Sequence, residues 1–231
     1  KLRRSAEKAL ERDVPDAGQI IAFFDRYPPL SNAARARFAL ALVQAGRGDA
    51  QDFVRAAWRG GPMSDGDEAL ILAQYGPWLT QADHDARMDA LLWAGAAAQA
   101  GRQLGYVSYD KRTDFATRYS LVGGNDIAHD GTRHSLLSDP GYIYQRARHL
   151  RRTNQGVVAR RVLAGRPALA SLPTDPDKWV EELLANARAA ATAGEASNAF
   201  RIAASIDDGF APGTDIRSLS AGLRDDYTSL V

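Results

Sequence analysis

The sequence contains no cysteine and no long apolar run. With no thiol among its 231 residues, the chain forms neither disulfide bonds nor thiolate metal sites. The longest apolar stretch is LLWAGAAA at 91–98, far short of the ~20 residues that a membrane-spanning helix needs. A signal peptide is also missing; the chain begins at Lys1 and ends, with LRDDYTSLV, inside a helical pattern. We therefore expect a segment of a longer protein, cut at its N-terminus and without a transmembrane helix.

An excess of charge of one sign is lacking as well. The 29 basic and 28 acidic residues leave a formal net charge of +1. Dedicated nucleic-acid-binding proteins usually carry a clear basic excess, so this balance argues against that class. A hydrophobic fraction of 45% with 25% charged residues is typical of a folded globular chain and not of a disordered one.

What the sequence does contain is a succession of helix signals. Alanine is abundant, and alternating runs of β-branched residues are missing, so we predict an all-α fold. Helix-capping residues recur along the chain: Asp16, Ser31 or Asn32, Ser64, Thr80 with Asp83 at capping-box spacing, and Asp139 before Pro140. The stretches 120–138 and 206–218 break the helical period and predict loops.

Turn glycines mark a recurring helical hairpin. Nine residues before each of Gly48, Gly156 and Gly194 lies an alanine, and six residues after each lies a larger apolar residue. The alanines are Ala39, Ala147 and Ala185, and the larger residues are Val54, Val162 and Phe200. Small residues let helices approach closely, and large ones fill the groove beside them. Because the spacing is irregular, we predict a divergent solenoid of antiparallel hairpins, a single superhelix over residues 1–231 and not a strict tetratricopeptide array.

The most basic segment, residues 138–167, contains seven arginines and one histidine. Helical spacing predicts two apolar stripes, formed by Ile143, Ala147 and Leu150 on one helix and by Val158, Val162 and Leu163 on the next. The arginines then form either a strip that binds an anionic polymer or a solvated face. We favour the solvated face, because arginine is the default cation of a chain with only four lysines. The arginines concerned are Arg146, Arg148, Arg151, Arg152, Arg160 and Arg161, of which Arg160 and Arg161 are expected to point away from the core.

Other candidate sites have weak signals. His129 and His134, near Asp126 and Asp130, lack metal-site spacing and an evident third ligand, so we predict no metal and no cofactor. His84 is expected at the surface. The carboxylate pairs are expected to be solvated, because neighbours in sequence do not face each other on a helix; they are Glu181–Glu182, Asp207–Asp208 and Asp225–Asp226.

The aromatic residues allow two interpretations. Side chains of this type stack on sugar rings, but at helical spacing most of them belong to the core. The residues are Trp58, Trp78, Trp93, Trp179, Tyr142 and Tyr144. We favour the core for most of them.

Four segments carry a resemblance to a known family. They are PLSNAARARFALALVQAGRGDAQDFVRAAW, LILAQYGPWLTQADHDARMDALLWAG, DPGYIYQRARHLRRTNQG and LPTDPDKWVEELLANARAAATAG. These segments resemble the N-terminal superhelical domain of soluble lytic transglycosylases of Gram-negative bacteria. The likeness covers about residues 15–231; residues 75–95 are the most distinctive part and residues 120–138 the poorest match.

The resemblance implies a U-shaped or ring-like superhelix ahead of a lysozyme-like catalytic domain. Such enzymes cleave peptidoglycan between N-acetylmuramic acid and N-acetylglucosamine and close a 1,6-anhydro ring, which implies a periplasmic location. The family's catalytic glutamate precedes a serine, whereas no glutamate here, at 7, 11, 68, 181, 182 or 195, does so. We therefore expect the catalytic domain beyond Val231, no catalytic residue in this chain, and no activity of the fragment by itself.

The resulting hypothesis is a substrate-guiding region of a lytic transglycosylase that binds peptidoglycan glycan strands. Its candidate substrate-binding residues are Arg146, Arg148, Arg151, Arg152, Tyr142 and Tyr144. A curved array suits a long polymer, because it offers many weak contacts along one groove. The alternative is a helical-repeat scaffold that binds a peptide or a partner enzyme. A nucleic-acid-binding repeat is disfavoured by the net charge.

Overall fold

The computed structural model describes residues 2–13, 15–125 and 134–230. Regular structure in these ranges is helical throughout, without a strand, which confirms the predicted all-α fold. The α-helices of these ranges are α1 (Leu2–Asp13), α2 (Ala17–Arg26), α3 (Asn32–Gln44), α4 (Ala50–Arg59), α5 (Asp65–Tyr75), α6 (Gln81–Ala94), α7 (Ala97–Gln103), α8 (Arg112–Val122), α9 (His134–Leu137), α10 (Pro140–Arg152), α11 (Gly156–Ala164), α12 (Pro176–Thr192), α13 (Ala196–Ala203) and α14 (Ala221–Thr228). None of these helices is long and apolar enough to span a membrane.

The predicted capping residues begin the helices as expected. The side chains of Asp16, Ser31 and Ser64 each accept a hydrogen bond from a backbone N–H in the first turn of α2, α3 and α5. Thr80 and Asp83 form a complete capping box at α6. Between the alternatives at α3, Ser31 is the cap, while the Asn32 amide donates to the carbonyl oxygens of Ala57, Gly61 and Pro62 at 3.0–3.1 Å. Local hydrogen bonding therefore decides where these helices start.

The chain folds as two compact units, Lys1–Arg112 and Thr113–Val231. In the first unit α3 packs on α4, which follows it after a short turn, α2 packs on α3, and α6 packs on α4 and α7. Apolar clusters form its core among the described residues. One contains Phe24, Phe38 and Leu42, and another contains Val54, Trp58 and Ile71. The path of one superhelix over residues 1–231 stays a prediction.

A fully buried arginine links the helices of the first unit. Arg87 of α6 is 0% exposed, and its Nη1 donates to the carbonyl oxygens of Trp58 at 3.3 Å and Gly61 at 2.7 Å. Its Nη2 lies 3.1 Å from a carboxylate oxygen of Glu68 on α5, and its guanidinium carbon lies 4.1 Å from the centre of the Trp58 ring. Arg102 of α7 completes the group with two hydrogen bonds to Glu68, at 3.1 and 2.9 Å. One carboxylate therefore ties α5 to α6 and α7.

In the second unit α10 pairs with α11, and α12 pairs with α13. The predicted stripe of α10 is confirmed, since Ile143, Ala147 and Leu150 are all at most 2% exposed. The core continues through Leu163 of α11 and Trp179 of α12, which are also buried. Three of the four tryptophans, Trp58, Trp93 and Trp179, are at most 2% exposed, as the core interpretation predicted, and Trp78 is half-buried.

Three residue placements predicted for the hairpins of the second unit are wrong. Val158 is 39% exposed and Phe200 is 73% exposed, whereas both were expected to be packed. Arg160 was expected to point away from the core and is 8% exposed. On α11 the buried positions are Ala159, Arg160 and Leu163, so its buried face is rotated by one residue from the predicted stripe. The reason is that α11 packs against α13 as well as α10. The apolar periodicity of α11 does not show which of its sides α13 covers.

Each of the three hairpin turns contains a residue with a left-handed backbone, and in two of them it is glycine. Gly194, which follows α12, has φ +74°, as a helix C-terminal turn demands. Between α10 and α11 that conformation belongs to Asn154, with φ 61°, and Gly156 is the first residue of α11. Between α3 and α4 it belongs to Gly46, with φ 68°, and not to Gly48.

Replacing Gly194 by alanine should lower the free energy of unfolding. A Cβ at Gly194 would meet nothing within 4 Å, so the loss, about 1 kcal/mol, would come from the left-handed backbone alone. The matched control is Gly222→Ala in α14, where a Cβ also meets nothing within 4 Å and where alanine favours the helix by up to about 1 kcal/mol. Urea unfolding followed by circular dichroism measures both. Equal stability of the two variants would contradict the argument.

Candidate functional site

The candidate site lies on α10, the helix that carries most of the predicted binding residues. Asp139 caps the helix by accepting a hydrogen bond from Tyr142 N at 2.8 Å, and Pro140 is its first residue. The helix contacts α9, α11 and α12, so its first half is nearly surrounded. Tyr142 is 1% exposed and Tyr144 is 4% exposed. Neither ring presents a face to solvent on which a sugar could stack.

Arg151 is fixed by a buried carboxylate. Its Nε and Nη2 donate to the two oxygens of Glu182 on α12 at 2.9 and 2.8 Å. Glu182 is 4% exposed and also accepts from the amide of Asn186 at 2.8 Å. The hydrogen bonds to Glu182 raise the pKa of Arg151 above its ordinary value. Glu182 was expected to be solvated, and this is wrong, because it is the partner that holds α10 against α12.

Tyr144 and Arg148 form a second contact along α10. Arg148 Nη1 donates to the Tyr144 hydroxyl at 2.6 Å, and the guanidinium carbon lies 5.8 Å from the ring centre. Burial raises the pKa of Tyr144, so the phenol stays protonated near neutral pH. Tyr144 therefore orients the Arg148 guanidinium instead of binding a ligand directly.

Arg160 is used in the same way as Arg151. Its Nε and Nη2 donate to Glu195, just before α13, at 2.9 and 2.5 Å. The hydrogen bond from Arg160 and a second one from Asn198 lower the pKa of Glu195 to about 2. The pair joins α11 to the turn between α12 and α13. Two of the six arginines of the predicted strip thus stabilise contacts between hairpins.

The remaining four arginines have no carboxylate partner among the described residues. Arg152 and Arg161 are exposed, and Arg146 and Arg148 are half-buried. Arg148 and Arg152 are four residues apart on α10 and so lie on one face. Arg146 lies with its guanidinium carbon 5.9 Å from the centre of the Tyr142 ring. This arrangement supplies several hydrogen-bond donors of one charge, suited to carboxylate or hydroxyl groups of a ligand.

Sequence reasoning missed a polar cluster in the first unit. Asp83 of α6 is fully buried and accepts hydrogen bonds from Arg55 at 3.0 Å and from Arg59, both on α4. Burial raises the pKa of Asp83, but hydrogen bonds from Thr80 and the two arginines outweigh it, so that the pKa falls to about 2. The sequence spacing predicted Asp83 as the partner of Thr80 in a capping box. Its arginine partners lie 24 and 28 positions earlier and leave no local signal.

His84 lies in the same region and is not a simple surface residue as expected. It is half-buried, stacked on Tyr106 with ring centres 5.4 Å apart and edge-on to Trp58 at 5.7 Å. Burial lowers its pKa. Gln103 Nε2 lies 3.2 Å from His84 Nδ1 and donates to the His84 carbonyl at 3.0 Å, which favours a neutral ring with an unprotonated Nδ1.

The residues considered for a metal site are only partly visible. Asp126, His129 and Asp130 lie outside the described residues, and so does the side chain of His134. Within the described part of the chain, no group of three or more histidines, aspartates or glutamates lies close enough to hold a metal ion.

Comparison with known proteins identifies no similar protein. No protein-family model, no curated protein and no solved structure matches the chain significantly. The interpretation of the site therefore depends on its geometry and on the sequence resemblance given above.

The pair of Arg151 and Glu182 predicts an asymmetric response to mutation. Arg151→Met should cost about 3 kcal/mol, because it leaves Glu182 buried without a counter-charge. Glu182→Gln should cost about 1 kcal/mol, because the Arg151 side chain is 41% exposed and can turn to water. Unfolding in urea measures both, and the double variant Arg151→Met/Glu182→Leu should lie closer to the wild type than Arg151→Met does. A larger loss for Glu182→Gln than for Arg151→Met would refute this account.

Asp83 predicts a loss of stability in acid. Its pKa is lowered from 3.8 to about 2 in the folded state, so its contribution of about 2 kcal/mol is complete above pH ~5 and lost as the pH falls towards 2. By pH 3 about half of it should be gone. The free energy of unfolding of the wild type should therefore fall more between pH 6 and pH 3 than that of Asp83→Asn, by about 1 kcal/mol. Parallel pH dependences would show that the hydrogen bonds from Thr80 and the two arginines do not stabilise the charged carboxylate.

Proposed function

We propose that this chain is the substrate-guiding helical part of a periplasmic peptidoglycan lytic transglycosylase. Glycan cleavage with 1,6-anhydro ring formation is assigned to a lysozyme-like domain expected beyond Val231. The resemblance of the four helical segments motivates the assignment, and the all-helical fold, in which successive helices pack in pairs, is compatible with it. The binding surface in this proposal is the exposed face of α10 that carries Arg148 and Arg152.

The observation that carries the proposal is that some arginines of this segment form ion pairs with carboxylates of the protein and others do not. Arg151 and Arg160 are bonded to buried or half-buried carboxylates and hold the helices in place. Arg148 is oriented by the Tyr144 hydroxyl at 2.6 Å, and Arg152 extends into solvent one turn further along. Positively charged donors on a helix suit a polymer with carboxylate and hydroxyl groups. Arg148 is already oriented, so little of its side-chain entropy is lost when such a polymer binds.

Binding to purified sacculi tests the proposal. We expect the wild-type chain to co-sediment with sacculi and Arg148→Gln/Arg152→Gln to bind about tenfold more weakly, as for the loss of one to two charged hydrogen bonds. The matched control is Arg188→Gln/Arg201→Gln, which removes the same charge from exposed positions on α12 and α13. Equal binding of the two double variants would reject the α10 face, and absence of wild-type binding would reject the proposal. Release of anhydro-muropeptides by this chain alone would contradict its assignment as non-catalytic.

A second candidate function is a scaffold that binds a partner protein. The observation that favours it is an open groove of about 810 Å³ in the first unit, formed by α2, α3 and α5. Helical repeats commonly bind peptides or proteins in such grooves. Capture of a periplasmic protein without any binding to sacculi would favour this candidate over the first.

A further inference from the structure

The groove of the first unit has an apolar lining that its own unit leaves uncovered. Ile20 of α2, Leu40 and Val43 of α3, and Leu70 and Tyr75 of α5 line it. Leu70 is 37% exposed, and the other four are half-buried. The volume of about 810 Å³ lies within the range of protein binding sites. The groove is therefore large enough to accept several side chains of a ligand.

Two carboxylates and one arginine line this groove, which leaves a small negative excess. Asp16, the cap of α2, and Asp67, in the first turn of α5, both line it. Neither carboxylate has an arginine or lysine partner among the described residues, and Asp67 Oδ2 is buried without a hydrogen-bond partner. Arg37 is the opposing cation of the lining, and its Nη1 is already bonded to the carbonyl oxygen of Leu10 at 3.0 Å. The lining thus offers one exposed carboxylate, Asp16, and one half-buried carboxylate, Asp67, beside an apolar floor.

These features differ from those of the α10 face. There the available groups are cationic donors, and here they are anionic acceptors beside aliphatic side chains. A glycan strand would find few polar partners on the apolar floor. A basic amphipathic helix matches both the apolar floor and the carboxylates of the groove. Its apolar residues recur at i, i+3 and i+4 and form one stripe, and its basic residues can flank that stripe.

We propose that this groove binds a basic amphipathic peptide segment of a partner protein. The apolar side chains of the segment pack against Leu40, Val43 and Leu70, and its lysines or arginines pair with Asp16 and Asp67. The inference rests on the second candidate function, whose groove it uses and whose partner it specifies. It is independent of glycan binding, since it uses a different unit of the chain and the opposite charge. It assigns a second interaction surface to the molecule.

Fluorescence anisotropy with two labelled helical peptides tests the inference on the full chain. One peptide is built of leucine and lysine in an amphipathic pattern, and the other has glutamate in place of every lysine. We expect the lysine peptide to bind at least tenfold more tightly than the glutamate peptide, with the difference shrinking as salt is raised. Equal affinities of the two peptides would overturn the proposal.

Variants locate the binding. Asp16→Asn/Asp67→Asn keeps the shape of both side chains and should reduce the tenfold preference to less than twofold. The control Asp52→Asn/Asp177→Asn removes two carboxylates from the first turns of α4 and α12 and should keep the preference. Leu70→Ser, at an exposed position, should weaken the lysine peptide about fivefold. Wild-type binding by either groove variant would show that the peptide binds elsewhere.

Two further measurements separate this inference from folding defects and from the proposed function. Circular dichroism and the melting temperature of each variant should match those of the wild type, since Asp→Asn keeps the size of the side chain and Leu70 is partly exposed. Arg148→Gln/Arg152→Gln should bind the lysine peptide as the wild type does, even where its binding to sacculi is reduced. A parallel loss of both activities in that variant would contradict an independent groove.

Discussion

The structure depends on arginine–carboxylate pairs that join one helical hairpin to the next. Arg87 is the extreme case, fully buried beneath the Trp58 ring and bonded to two carbonyl oxygens and to Glu68. Desolvating a guanidinium is costly, and burial lowers the pKa of Arg87 to about 10, yet the group keeps its charge at neutral pH. Short helices with many alanines bury little apolar area each, so directional contacts of this kind specify which helices are neighbours and at what register.

The same device recurs in the second unit and explains the arginine-rich segment. Arg151 reaches from α10 to Glu182 on α12, and Arg160 reaches from α11 to Glu195. Each pair spans 31 or 35 positions of sequence, about one hairpin. The guanidinium is suited to this role because its planar fork binds both carboxylate oxygens at once. The arginine-rich segment therefore contains two classes of arginine. One class forms ion pairs that hold the helices together, and the other is available to bind a ligand.

The fold was predicted well where the determinant is local. The caps at Asp16, Ser64, Thr80 and Asp139 and the stripe of α10 follow from side-chain hydrogen bonding and helical periodicity. The candidate site was predicted only in outline. Arg148 and Arg152 lie on an accessible face, but Tyr142 and Tyr144 are buried and Arg151 is paired. His84 shows the same limit, because its stacking on Tyr106 joins residues that no periodic pattern relates.

The helical content, the starts of many helices and the inward face of α10, with Ile143, Ala147 and Leu150, could all be predicted without coordinates. Those properties depend on residues within one or two turns of each other. Which arginines form ion pairs within the protein became clear from the coordinates alone, because each pair depends on a carboxylate one hairpin away in the sequence. The tertiary structure likewise decided that α11 buries Ala159 and Arg160 and leaves Val158 exposed. A helix has several faces that could be covered, and its neighbours select among them.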